Sequence, residues 1–282
     1  MLRSILLAGF ASLLAGAALA QEAPSLEGKP LPEYTVPEGG LLAEIKARGK
    51  LVNGVEAATP PYEFIKDGEI VGFDIDLSRL FAESLGVDLE VIDTNWSGVI
   101  PSLYTKKFDM IWSAMPITEN RAKAVTFSPP YTTDAPIFLI RPDDDSIKSV
   151  DDFKGKRLGS QLNSSVAEQS QKLSDEKGLG MDITLYDAIA TAYLDLQNGN
   201  LDIVTTSKDA FTVLDQQQPG RFKPIFELPP NLFMAVAMRK QDTDLAAAVD
   251  AFLTEIKANG TLDELSRKWF GYAKEVPAEA PQ

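Results

Sequence analysis

The chain has 282 residues, with 27 Lys and Arg against 41 Asp and Glu, no His and no Cys, and a formal net charge of −14. That balance argues against nucleic acid, because no basic surface offsets phosphate repulsion. Without Cys or His, disulfides, a lipid-modified cysteine and the common zinc or copper sites are unavailable, so no metal or cofactor is expected.

Residues 1–20 read as a signal peptide, with Arg3 ahead of an apolar run from Ile5 to Leu19 and a small-residue cleavage site at Ala18-Leu19-Ala20. No later apolar run is long enough to span a bilayer, so the mature protein is expected to be soluble. About 260 residues then remain, more than one core takes, and two lobes are the expectation. Residues 21–40, rich in Pro and Gly, read as a flexible leader.

From residue 41 the pattern is regular. LLAEIKARGK predicts a helix stopped by Gly49, and LVNGVEA a strand. ATPPYEFIKDGEIVG reads as a loop with a turn at Asp67-Gly68. FDIDLSRLFAESLG predicts a helix with Phe73, Leu77, Leu80 and Phe81 on one face and Gly86 at its end. VDLEVID is a strand, SGVIPSLYTKK a helix and DMIW the next strand. A second series follows APIFLIRPDDD: strands at KRLGSQ, DITLYD and LDIVTTS alternate with helices at SSVAEQSQKLSDEKG, AIATAYLDLQNG and KDAFTVLDQQ. After FKPIFELPPN, the strand LFMAVAMRK returns, and two helices (243–258 and 261–269) complete the chain before a polar tail at 273–282 that is expected to fray. Alternation of this kind implies parallel βαβ units. The two series are joined near Thr133–Ile137 and Leu228–Phe233, where Pro136, Pro229 and Pro230 lie. Two crossings between two lobes suit a hinge that closes on a ligand.

Chemistry gathers at Asp109–Arg121. A buried strand gives way to the small-residue turn Ser113-Ala114-Met115-Pro116, and Thr118 caps a helix that carries Arg121 in its first turn. Ligands of open α/β sheets bind at the carboxyl ends of strands, where such turns sit. Backbone amides plus a guanidinium suit a carboxylate. The plainer reading is an arginine on a solvated helix face, paired with Glu119 or with nothing.

The stretch Ile117-Thr118-x-x-Arg121, followed by Phe127-Ser128, resembles family 3 of the bacterial periplasmic solute-binding proteins, the polar amino acid group of ABC importers. VGFDIDLSRLFAESLG (71–86), NWSGVIPSLYTKKFDMI (95–111) and GTLDELSRKWFG (260–271) agree with that family in order and spacing, and the likeness covers 41–271. It implies two doubly wound α/β lobes joined by a two-segment hinge, the type II periplasmic-binding-protein fold. Lobe 1 would comprise 41–135 and 231–272, and lobe 2 136–230. It also implies a periplasmic monomer that takes a small solute to a membrane permease.

By that resemblance Glu56 is the acidic residue at the end of the first strand, and Thr59 stands where a stacking tyrosine is common. Tyr62 lines the cleft or packs beneath it. Trp96 stacks over the ligand, whereas Trp112 is assigned to the core or just behind the site. Ser113, Ala114 and Pro116 form the turn, and Ser165 matches a hydroxyl ligand from lobe 2. Two positions depart from the family. Pro116 replaces a Ser or Thr and so offers neither hydroxyl nor N–H. Ser207 replaces the aspartate that grips an α-ammonium, with Asp209 two residues on. Either Asp209 or Glu56 supplies that grip, or the ligand is not a free α-amino acid but a non-amino-acid cation or an opine; Trp96 and Tyr62 beside a carboxylate would also suit a methylated or guanidinium cation. The alternatives in function are a cyclohexadienyl dehydratase-like enzyme on the same fold and a sensor for a membrane partner.

Overall fold

A computed structural model describes residues 28–30 and 32–277; the expected signal peptide and the last residues of the tail lie outside them. In chain order, α1 (Leu41–Arg48) buries Leu42 and Ile45 and ends at Gly49 in a left-handed conformation. Strand β1 (Lys50–Val55) follows, then a small antiparallel sheet of β2 (Ala58–Thr59), β3 (Glu63–Lys66) and β4 (Glu69–Val71). Helix α2 (Phe73–Leu85) places Phe73, Leu77, Leu80 and Phe81 in the core, as its apolar spacing predicts. After β5 (Asp88–Asp93), a 3-10 turn at Trp96–Gly98 leads into α3 (Val99–Tyr104). Strand β6 (Met110–Ile111), α4 (Glu119–Ala124) and β7 (Thr126–Phe127) complete this stretch.

Strand β8 (Thr132–Asp134) makes the first crossing and leads to β9 (Pro136–Ile140). The second series runs β10 (Arg157–Gln161), α5 (Ser165–Lys177), β11 (Asp182–Tyr186), α6 (Ile189–Gln197), β12 (Ile203–Ser207), α7 (Lys208–Gln217) and β13 (Lys223–Glu227). Strand β14 (Leu232–Met234) crosses back antiparallel to β8, and β15 (Ala237–Met238), α8 (Thr243–Ala258) and α9 (Thr261–Phe270) close the chain. No helix among the described residues is long and apolar enough to cross a membrane.

Two five-stranded sheets result, ordered β5-β1-β6-β15-β7 and β11-β10-β12-β9-β13. In each, the first strand of a βαβ series lies between the second and third, all parallel: β1 between β5 and β6, β10 between β11 and β12. Antiparallel strands then extend the sheet, β15 and β7 in one lobe and β9 and β13 in the other. The sheets are therefore mixed, each a parallel core with antiparallel additions. Strand alternation divides each core in two. Leu51, Met110 and Met238 face α1, α2, α8 and α9, while Val52, Ile111 and Ala237 face α3. In lobe 2, Phe138, Leu158 and Ile203 pack toward α5, and Leu139 and Val204 toward α6 and α7.

Four features depart from the sequence reading, the first being that the stretch read as a loop around Asp67-Gly68 forms the sheet β2-β3-β4. LFMAVAMRK is two strands, because β14 pairs with the crossing strand β8 and only β15 enters the lobe 1 sheet. The leader is held where Tyr34 stands edge-on to Phe81 and shares a 2.6 Å hydrogen bond with Ser84, and where Lys29 pairs with Glu264. The tail begins with Lys274 buried in an ion pair with Asp209 of lobe 2. In both segments a few amphipathic side chains find partners that a local composition reading does not register.

Candidate functional site

The carboxyl ends of β1, β6, β10 and β12 face one another across a cavity of about 430 Å³. This is the place a doubly wound topology assigns to a ligand. Glu56 follows β1 directly. Its N–H donates to Ser113 Oγ (3.1 Å), and its carboxylate accepts from Trp96 N (3.2 Å). Across the cleft Gln161, the last residue of β10, donates from Nε2 to both Glu56 oxygens at 2.9 and 2.8 Å. Burial raises the Glu56 pKa, and the Gln161 hydrogen bonds oppose the shift.

The turn after β6 is braced from behind. Ser113 Oγ donates to Glu63 Oε1 (3.0 Å), and Ala114 N, at φ 41°, donates to Asp74 Oδ2 (2.6 Å). Ser113, Ala114 and Pro116 all line the cavity, but their polar groups are engaged within lobe 1. Pro116 gives its carbonyl to Arg121 Nη1 (2.9 Å).

Arg121 is not on a solvated face. Thr118 caps α4 by accepting from Arg121 N (3.3 Å), and Glu119 pairs with Lys123 instead. The Arg121 guanidinium lies 5.1 Å over the Trp96 ring and donates from Nη2 to Asn163 O of lobe 2 (2.8 Å). No carboxylate among the described residues pairs with it. Burial lowers its pKa to about 10, with Glu168 acting the other way. Its two partners are both neutral carbonyls, which leaves the rest of its five-donor fork unassigned. Arg121 meets the cavity through Trp96 and Pro116, which line it. Trp96 Nε1 also donates to Asn163 O (3.2 Å), so one lobe 2 carbonyl holds both side chains.

On lobe 2, Ser164 caps α5 by accepting from Ala167 N, which leaves Ser165 in the first helical turn, buried and lining the cavity. Ser207 lines the cavity too and caps α7. Thr59 lines it from lobe 1.

The structure takes Asp209 away from the cavity. Its Oδ2 accepts from Tyr62 Oη (2.5 Å) and pairs with Lys274 Nζ, so the carboxylate is not free to grip a ligand ammonium. Tyr62 follows it inward, fully buried between Phe73 and Phe270, and only one edge reaches the cavity. Trp112 is in the core against Phe81, Tyr131 and Phe252.

The sequence reading missed Gln161, and it missed a further wall made by Thr205, Thr206, Tyr193 and Arg221. Gln161 is a polar residue at the end of a central parallel strand, a position where the topology itself places ligand contacts.

A family model for bacterial extracellular solute-binding proteins, family 3, matches residues 51–272. The chain belongs to this family. It is 33% identical over 234 residues to the L-cystine-binding protein TcyJ of Escherichia coli K12, covering 82% of this chain and 86% of the relative. It is 32% identical to the arginine-binding extracellular protein ArtP of Bacillus subtilis, covering 78% and 86%. Among solved structures, holo ArgBP from T. maritima matches at a TM-score of 0.70 with 35% identity, covering 81% of this chain and 99% of that one. An ancestral amino acid-binding protein, described as a precursor of cyclohexadienyl dehydratase, matches at 0.71 with 34% identity over 82% and 100%. The family and these neighbours are binding proteins, not enzymes, and the chain is a solute-binding protein of the transport type.

Proposed function

We propose that the protein captures a polar α-amino acid or close derivative in a periplasm by closing its two lobes, and presents the closed form to an ABC permease. Arg121 carries this reading. It is a buried guanidinium with no acidic partner among the described residues, stacked on Trp96 beside the cavity, and it suits a ligand carboxylate. Glu56 is the acidic residue that faces the cavity, and it takes the ligand's cationic group when Gln161 yields one oxygen. Ser165 adds a hydroxyl from lobe 2, and Trp96 covers the ligand's apolar part. Relatives that bind cystine and arginine, both long polar amino acids, support the class of solute.

The test is calorimetry with a panel of amino acids on wild type and Arg121→Ala. Loss of a desolvated bidentate partner should weaken carboxylate binding by about 2–5 kcal/mol. Equal affinity in the variant would remove Arg121 from the site. In a parallel melting screen, a ligand at 100 times its Kd should add about 2.7 kcal/mol of stability.

A further inference from the structure

The cavity does not stop at the cleft. From Ser207 it continues along α7, touching Ala210, Leu214 and Gln217, a spacing of three and four that forms one stripe of the helix. Facing it, α6 contributes Tyr193 and Leu194, so the extension is an apolar trough between two helices. The helix rise from Ala210 to Gln217 gives it a length of about 10 Å.

Arg221 lines the far end. Its Nη1 donates to Gln218 Oε1 (2.7 Å) and its Nη2 to Gln197 Oε1 (2.6 Å), both neutral acceptors. Nε is buried with no acceptor, and no carboxylate among the described residues pairs with this guanidinium. With only neutral acceptors, this guanidinium keeps an uncompensated positive charge at the cavity wall, and an anionic ligand group makes a charge-assisted hydrogen bond to it. A cationic tip would meet like charge there.

We propose that Arg221 is a second, anion-accepting subsite, and that the solute is an elongated α-amino acid with a carboxylate at the far end of an apolar chain. The head group rests on the amino-acid reading above; the tail subsite is separate from it. It also sets a specificity: at equal length, an acidic tip is taken over a neutral or basic one.

The full chain is titrated calorimetrically with L-2-aminosuberate and with L-2-aminooctanoate, which has the same length but ends in a methyl group. Wild type should prefer the diacid by about tenfold or more, the equivalent of one charge-assisted hydrogen bond. Arg221→Gln should abolish that preference while still binding the octanoate, and Arg221→Lys, which keeps the charge, should restore part of it. An unchanged preference ratio in Arg221→Gln, or no preference in wild type, overturns the subsite and leaves the amino-acid reading standing. If wild type binds neither compound, the subsite is overturned, and the amino-acid reading is decided separately by the calorimetric panel.

Discussion

Glu63 and Asp74 are two fully buried carboxyl groups behind the Ser113-Ala114 turn. Burial pushes Glu63 well above the usual range and Asp74 up to about 7, although Tyr131 Oη and Ala114 N donate to Asp74. Glu63 Oε2 and Asp74 Oδ1 have no other donor, and one shared proton satisfies both. Glu56 and Lys274 act on the pair from a greater distance. Both native pKa values lie above the unfolded ones, so the native state holds extra protons between about pH 4 and 7. The associated stability is complete at low pH and is lost as pH rises through about 7. Denaturant unfolding should therefore show a lower midpoint at pH 8 than at pH 5. Glu63→Gln supplies its own donor and should flatten that fall, leaving a residual slope from Asp134, which burial also raises to about 7. An identical slope in wild type and variant would mean that the two carboxyls do not share a proton. At the same scale, Ser207→Asp keeps a cap on α7 and adds a carboxylate to the cavity. It should tighten binding of standard α-amino acids in a calorimetric panel, and no gain for any of them would argue that their ammonium does not reach this position.

Among the elements, α2 sets the wall on which the site stands. Gly72, just before it, has φ 144°, and an added Cβ would lie 2.0 Å from the Tyr62 carbonyl, which accepts from Asp74 N. Gly72→Ala must separate the cleft loop from α2, and it should cost about 3 kcal/mol or more in denaturant midpoint. A change under about 0.5 kcal/mol would show that the loop shifts freely. Much at this scale was legible. The Phe73, Leu77, Leu80, Phe81 stripe and the stops at Gly49 and Gly86 lie in the local pattern, and α1 and α2 follow from it. Strands β2 and β7 were not legible, because two residues hold no periodicity, and the division of LFMAVAMRK into β14 and β15 was not, because the partner of β14 lies far away in the chain. The site divides the same way. Arg121 follows a strand end and opens a helix, where topology alone places a ligand, whereas Glu56 and Trp96 entered through the family resemblance. Asp209 was misplaced because Lys274, its partner, is 65 residues away. The stripe Ala210, Leu214, Gln217 is indistinguishable in sequence from a core-facing one.

For the molecule as a whole, the question is what holds the two lobes together. Gln161 on Glu56, and Arg121 and Trp96 on Asn163, bind the lobes across the ligand cavity. Lys274 binds them near the hinge, independently of any ligand. Its Nζ lies over Phe270, 4.3 Å from the ring centroid, and donates to Thr133 O (2.6 Å) on the crossing strand while pairing with Asp209 of α7. Removing that cation leaves Asp209 buried beside Asp134, whose carboxylate already accepts from Asp209 N. Breaking a buried pair from one side costs about 3–5 kcal/mol. A shift of about 5.5 kcal/mol carries a two-state equilibrium from 1:99 to 99:1, so a loss of about 3–5 kcal/mol moves a mostly closed chain a large part of the way toward the open form. Lys274→Met should therefore give a larger radius of gyration by X-ray scattering without ligand, and a solute from the binding screen should restore compaction. The double variant Lys274→Met with Asp209→Asn should recover part of the closed form, because it removes the stranded charge. If Lys274→Met scatters and melts like wild type, the hinge pair does not set the resting state, and closure depends on the contacts around the cavity alone.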